Sequence, residues 1–392
     1  TFRSKGSNSF QLFQWEKKMD LSLTETQEEF KKVAADFVKA EVPAHQMTQW
    51  YKNKQTFQPQ LVNKAAEIGW LGMMLPEEYG GSGVSVMDCA VVFEELGRGP
   101  VPGPLFTSGI LSAQLIFEAA TEPQRKALLP RLCKGEMIVV PALTDKTAHW
   151  GPEAVETTLT KTPNGYLLNG AKRFVFDAEA ATDFVCAART EEGSVIFLIV
   201  DSRSPGITVT PHVGFCVAVA EVRFDKVAVS PSQLLGTSGA SWATFEAALD
   251  KSLPILSAYQ VGATQEVFDM TCEYTRTRVV FGQPIGRFQR VQDHCVEISI
   301  HLDQARWATY EAIWRVDNGM NARAGVHEAK ATASDGYYHG TNYAHMVWAG
   351  PGTDYSHPMM AHSVLAHTLY QYLGTPAHHK RKMMDALYPR AS

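Results

Sequence analysis

Six cysteines in 392 residues, Cys89, Cys133, Cys186, Cys216, Cys272 and Cys295, form no Cys-x-x-Cys pair and no short-range framework. That spacing excludes a disulfide-stapled scaffold and argues against zinc or thiol redox chemistry; the six read as buried, reduced thiols of a cytoplasmic protein. Long apolar runs are missing as well. The longest, about Val195 to Val200, is far short of the roughly 20 residues that cross a bilayer, so no membrane-spanning helix is expected. Positive charge is not in excess: 36 Lys plus Arg against 41 Asp plus Glu give a net charge of -5. Without a basic field to meet a phosphate backbone, nucleic acid is not an expected partner. The chain also has no Gly-x-x-x-x-Gly-Lys-Ser/Thr and no Gly-x-Gly-x-x-Gly between a strand and a helix, which excludes the common phosphate loops. Ten of the 13 histidines lie beyond residue 290, yet none forms an i,i+4 pair or His-Glu-x-x-His, so no metal site is expected.

What is present is an ordinary globular composition, 45% apolar and 20% charged, at a length that suits two or three domains. The first 18 residues, TFRSKGSNSFQLFQWEKK, lack the apolar core of a secretory signal and read as a flexible or appended arm, with Met19 as a natural start. From Thr24 a Thr-x-x-Gln capping box leads into Phe30, Val33, Ala34, Phe37 and Val38, one apolar helix face. Similar spacing over Leu61–Leu71, Asp88–Leu96, Ser108–Ala119 and Glu122–Leu132 predicts an all-helical region to about residue 135.

The texture then changes to short β-branched runs at Met137–Leu143, Thr157–Lys161, Tyr166–Asn169, Asp183–Ala188, Val195–Val200 and Val217–Phe224, broken by turns such as Thr162-Pro-Asn-Gly165. They predict a small antiparallel β domain. After Pro231 long helical patterns return around Trp242–Val279, Phe288–Asn318, Ala329–His345 and Met360–Tyr372. The expected fold class is α+β and mainly α, with domains at 19–135, 136–235 and 236–392.

The most informative stretch is RTRVVFGQPIGRFQRVQ, Arg276 to Gln292. By itself it is a helix end with Arg276 and Arg278, a loop broken by Gly282 and Pro284, and a new helix near Phe288. An arginine beside freed N–H groups at a helix start suits a pyrophosphate; a solvated helix–helix turn suits the same spacing.

With the helix, β, helix order, this stretch resembles the Arg-x-x-Phe-Gly-x-x-Ile/Leu-x-x-Phe-Gln motif of the acyl-CoA dehydrogenase family. The resemblance runs from about Met19 to the C-terminus, through LGMMLPEEYGGSG (71–83), VFEELGRGPVPGPL (92–105), PALTD (141–145), LNGAKRFVFDAEAATDFVCAART (168–190) and LLG (234–236). It implies an N-terminal helical domain, a middle antiparallel β domain, a C-terminal four-helix bundle and a bound FAD. In such enzymes a carboxylate removes the α-proton of an acyl-CoA thioester while a hydride leaves the β-carbon for the flavin. By position, the resemblance assigns Thr144 to a flavin hydrogen bond, Val175 and Phe176 to the flavin edge, and Arg278, Phe281 and Gln289 to the ADP part. Gly350 and Gly352 match a glycine-rich segment that reaches a neighbouring subunit's FAD, although Met346 stands for its Gln and Ala349 for one of its glycines.

The departures bear on catalysis. Where most members carry the catalytic Glu before Gly-Thr, this chain has Leu373, and the alternative Glu position on the first long C-terminal helix falls on Ser252. Asp250 is rotated by about 200° from Ser252 on a helix, Glu246 lies six residues upstream, and Tyr370 and Tyr372 have an ordinary pKa near 10, so the catalytic base is unknown. The pattern resembles one subunit of a heteromeric, tetrameric acyl-CoA dehydrogenase whose homologous partner supplies the Glu, a branch associated with lipid or steroid substrates. Electron-transfer flavoprotein is the acceptor the resemblance implies. A non-catalytic partner subunit and a redox-neutral acyl-CoA enzyme are the alternatives.

Overall fold

The computed structural model describes residues 19, 20, 22–145 and 150–389; the arm expected over residues 1–18 lies outside the described residues. At Thr24 the capping box is made: the Thr24 hydroxyl accepts from Gln27 N–H while the Gln27 side chain accepts from Thr24 N–H. It opens α1 (Glu25–Glu41), followed by α2 (Ala44–Lys52), α3 (Pro59–Ile68), α4 (Val86–Arg98), a π-helical turn at Thr107–Ser112 running into α5 (Ala113–Ala119), and α6 (Glu122–Cys133). The sequence pattern did not single out α2. Its N-cap is Pro43, with no side-chain cap, and its Met47, Trp50 and Tyr51 are buried by tertiary packing.

The sheet comprises β1 (Val139–Ala142), β2 (Thr158–Thr162), β3 (Gly165–Phe176), β4 (Asp183–Thr190), β5 (Val195–Asp201), β6 (Ile207–Pro211), β7 (Val219–Val229) and β8 (Ala240–Ser241). Along it the strands run β6-β7-β3-β2-β4-β5-β8, with β1 beside β4. Most ladders are antiparallel, as expected, but β4 runs parallel to β1 through Val139↔Asp183 and to β2 through Thr158↔Arg189. Alternating burial sets a strand's faces and carries no record of its neighbour's direction, so sequence could not distinguish the two cases. β6 was also missed: Ile207 to Thr210 alternate apolar and polar, but the run is four residues long and stops at Pro211.

The rest of the chain is α7 (Trp242–Thr277), a hairpin of β9 (Val279–Val280) and β10 (Gln283–Pro284), α8 (Gln289–Asp317), α9 (Arg323–Trp348), α10 (Pro358–Gln371) and α11 (Pro376–Leu387). Helices α7 to α10 form the bundle, and α11 lies against α9. Thr375, whose hydroxyl accepts from His378 N–H, starts α11, a helix with few apolar residues that the sequence reading left out.

One crossing fixes the helical layers relative to each other. A Cβ on Gly97 of α4 would stand 1.9 Å from Tyr259 O, and one on Gly262 of α7 would stand 1.8 Å from Glu94 O. The two helices therefore touch backbone to backbone. This contact sets Phe93 and Leu96 of α4 opposite Leu256 and Tyr259 of α7, around the space described next.

Candidate functional site

The site begins at an irregularity in β3. Lys172 pairs with Val222 and Val175 with Ala220, so β3 carries one extra residue against β7, a β-bulge. Phe174, within the bulge, adopts φ +53° and turns outward, 53% exposed, with its ring 5.2 Å from that of His212. Beside it Arg173 N–H donates to Thr144 O at 2.7 Å, tying the PALTD loop to the bulge. Lys172 points inward and is fully buried, its Nζ 2.5 Å from Asp145 Oδ2 and 3.2 Å from Leu143 O. Asp145 Oδ1 in turn accepts from the N–H and hydroxyl of Thr157. Both members of the pair are hydrogen-bonded, which offsets the cost of burying polar groups in an apolar interior.

Three cavities adjoin this edge. The largest, ≈ 510 Å³, is walled by Thr144, Trp150, Phe174, Val175, Tyr372 and His378, with Arg173 and Arg381 at its polar parts. Aromatic walls and a threonine hydroxyl with no hydrogen-bond partner among the described residues suit a flat, polar-edged ring system. A second cavity, ≈ 40 Å³, lies between α4, α7, α10 and the end of β3, lined by Phe176, Asp177, Leu256, Tyr259 and Leu369 among others. Between the two stands the ring of Tyr372, 5.0 Å from that of Phe176 and 6.4 Å from that of Phe106. The third, ≈ 30 Å³, is polar: Glu246, Asp250, Arg323, His327, His378 and Lys382 line it together with Leu373.

Backbone strain gathers here. Of the eight non-glycine residues with positive φ among those described, Phe174, Asp177, Ala218 and Leu373 line these cavities. Such conformations cost on the order of 1–3 kcal/mol each, and their clustering marks a site held in place by its surroundings.

Neither expected base position is occupied by a base. The Ser252 hydroxyl is fully buried and donates to Ala248 O on its own helix at 2.8 Å. Leu373, 1% exposed, faces the polar cavity. Glu246 is hydrogen-bonded by Arg323 and by Lys382, the latter at 2.7 Å; burial raises its pKa, but these two cations outweigh it and hold the carboxyl below its usual range. Burial pushes Asp250 up to about 6 against the pull of Arg323. His378 is pushed down to about 4 by burial and by the cations Lys382 and Arg381, so it is neutral near pH 7. The Tyr372 hydroxyl is buried without a hydrogen-bond partner among the described residues, its pKa raised by burial and by the charge of Asp177.

Of the residues singled out from sequence, Thr144 and Val175 meet in the large cavity, while Phe176 faces the smaller one. Arg278, Phe281 and Gln289 lie elsewhere, exposed on the β9–β10 hairpin and the start of α8, with Phe281 91% exposed. From Tyr259 in the small cavity's wall to Arg278 is 19 residues of helix, roughly 29 Å. Gly350 and Gly352 share that far end: Trp348, just before them, stacks on Tyr274 at 3.9 Å and donates to Thr271. Ala349 there has φ +51° and ψ −132°, a conformation natural to glycine. The sequence reading missed Asp145, Lys172 and Asp177 as site residues. Asp177 had a visible signal, a lone acid directly after Phe174-Val175-Phe176 at a strand end. Among the described residues no cluster of His, Cys, Asp and Glu could hold a metal ion.

Two family profiles match the chain: acyl-CoA dehydrogenase, N-terminal domain, over residues 24–136, and acyl-CoA dehydrogenase, C-terminal domain, over 239–388. Acryloyl-CoA reductase (NADH) of Anaerotignum propionicum is 29% identical over 375 residues, 93% of this chain and 95% of the relative. Among solved structures, PigA with FAD and proline superposes with a TM-score of 0.87 at 25% identity, covering 95% of this chain and all of that one. The ChsE4–ChsE5 complex of Mycobacterium tuberculosis gives a TM-score of 0.85 at 24% identity, with coverage of 95% and 100%, a likeness of fold.

Proposed function

The chain belongs to the acyl-CoA dehydrogenase family, and on that premise we propose that it binds FAD and dehydrogenates an acyl-CoA thioester between its α- and β-carbons as one subunit of a hetero-oligomer. The observation that carries the subunit role is the state of the two base positions, a serine bonded to its own helix and a buried leucine. A hydrocarbon takes no proton, and a hydroxyl without a base partner takes none either. In this reading the α-proton goes to a glutamate of a homologous subunit. FAD, when bound, supplies the two-electron acceptor for the hydride leaving the β-carbon.

The residues present suit that cofactor. Thr144 offers a hydroxyl with no partner among the described residues, Phe174, Trp150 and Tyr372 offer aromatic faces, and the Lys172–Asp145 pair holds the threonine loop against the bulge. Arg278, Phe281 and Gln289, with Gly350 and Gly352, line none of the three cavities, and Arg278 lies roughly 29 Å of helix from Tyr259, which supports their serving a neighbouring subunit's ADP moiety. Val279, Phe281 and Met346, all more than half exposed, give that end an apolar surface suited to a partner in a tetramer. Water exclusion at the reacting carbons falls to the Tyr372, Phe176 and Phe106 rings. We propose domains at 19–135, 136–235 and 236–392, electron-transfer flavoprotein as acceptor, lipid or steroid acyl groups as substrates, and, from six unpaired thiols, a cytoplasmic setting.

The test is to purify the chain alone and with a co-expressed homologous subunit, and to record the flavin spectrum as acyl-CoAs are added anaerobically. Bleaching only in the complex is the expected result. Bleaching by the lone chain would overturn the shared-site reading.

A further inference from the structure

Asp177 is the one ionisable carboxyl lining the small apolar cavity. It is 5% exposed, and its side chain makes a single hydrogen bond, from the Thr107 hydroxyl to Oδ2 at 2.8 Å. Oδ1 has no partner among the described residues, although an oxygen in such surroundings is costly to leave unbonded. Its backbone is held at φ +61° and its N–H donates to Ala218 O at 2.7 Å, with Ala218 itself at φ +58°. Two strained residues bonded to one another thus present the carboxyl to the cavity. The neighbouring phenols do not satisfy it: Tyr51 donates to Pro100 O and Tyr259 to Val101 O. A second unpaired polar atom, the Tyr372 hydroxyl, is buried in the partition nearby.

We propose that Asp177 is a specificity-determining residue which accepts a hydrogen bond from a hydroxyl group on the acyl chain, so that the small cavity selects a hydroxylated acyl-CoA over its plain counterpart. The inference rests on reading these cavities as an acyl-CoA site. A hydroxyl fits better than an ammonium: apart from Tyr51, Thr56 and Tyr259 the remaining walls are apolar, and an uncharged donor can pair with the carboxyl without bringing a second charge out of water. At ≈ 40 Å³ the space takes about three water-sized groups, enough for the end of a short chain. Proton removal is not its role, because Phe176 and Tyr372 stand between Asp177 and the larger cavity.

The experiment measures dissociation constants for hexanoyl-CoA against 6-hydroxyhexanoyl-CoA, and octanoyl-CoA against 8-hydroxyoctanoyl-CoA, on the flavin-loaded protein, with its partner subunit where that is needed for loading. At pH 8.5, where the carboxyl is ionised, a buried hydrogen bond to it should favour at least one hydroxylated ligand about tenfold. Asp177→Gly, which tolerates the positive φ, should bring that ratio near one. Asp177→Asn keeps the Thr107 bond and the left-handed backbone, and should lower the ratio even if the glycine variant fails to fold. Equal affinities within each pair in the native protein would overturn the inference and leave the acyl-CoA reading standing. Preference unchanged in both variants would also overturn it. Binding of no acyl-CoA at all would sink the acyl-CoA reading and this inference with it.

Discussion

At the scale of single residues, the interior holds ionisable groups whose burial couples folding to pH in opposite directions. Burial pushes Asp177 up to about 7, so between about pH 4 and 7 the native state keeps a proton that the unfolded chain releases. Stability attributable to this group is greatest at low pH and falls as pH rises through that window, by an amount on the order of a few kcal/mol. Asp177→Asn should remove this slope, read as a smaller loss of unfolding free energy between pH 5 and pH 8 in urea titrations. His362 behaves in the reverse sense. Burial pushes it down to about 3, and its Nδ1 lies 2.9 Å from the Tyr337 hydroxyl. Below pH 6.5 the unfolded chain takes up a proton that the native state refuses, so His362 contributes stability above that pH and loses it as pH falls toward 3. His362→Gln, which retains an acceptor for Tyr337, should show a shallower acid limb in the same titration.

At the scale of elements, the α4–α7 crossing is the contact with least tolerance. With a Cβ at Gly262 only 1.8 Å from Glu94 O, Gly262→Ala has to push two helix backbones apart, and we expect a loss above about 3 kcal/mol, seen as a fall in thermal midpoint. The small cavity between these helices should widen in the same variant. Sequence reading found the elements with their own local signals: the α1 capping box, the long apolar faces of α7 and α8, and the Thr162–Gly165 hairpin turn. It did not find α2, β6 or α11, which are short and adjoin Pro43, Pro211 and Pro376, so that each pattern repeats too few times to stand out. Nor did it see β4 running parallel to two neighbours, because direction is decided by connections outside the strand.

At the scale of the whole molecule, the division of the candidate site between two ends of one chain has a direct test. Phe281, 91% exposed at the tip of the β9–β10 hairpin, should matter little to the isolated fold. Phe281→Asp should leave the thermal midpoint of the lone chain nearly unchanged and weaken assembly with the homologous subunit at least about tenfold by analytical ultracentrifugation. The motif around Arg278 stands out in the sequence because its spacing is local. Asp145, Lys172 and Asp177 gained meaning only when the sheet bulge and the bundle brought their surroundings together.

Helix α7 runs unbroken from the cavity wall at Tyr259 to the hairpin at Arg278, and so acts as a measuring rod. Its length sets the interval between the place where one chain would react and the place where it would reach toward its neighbour. An insertion of one helical turn within it would move the far end by about 5.4 Å. In the proposed assembly a partner subunit would carry a rod of the same gauge, so that the length of one helix would limit which homologues can serve as partners.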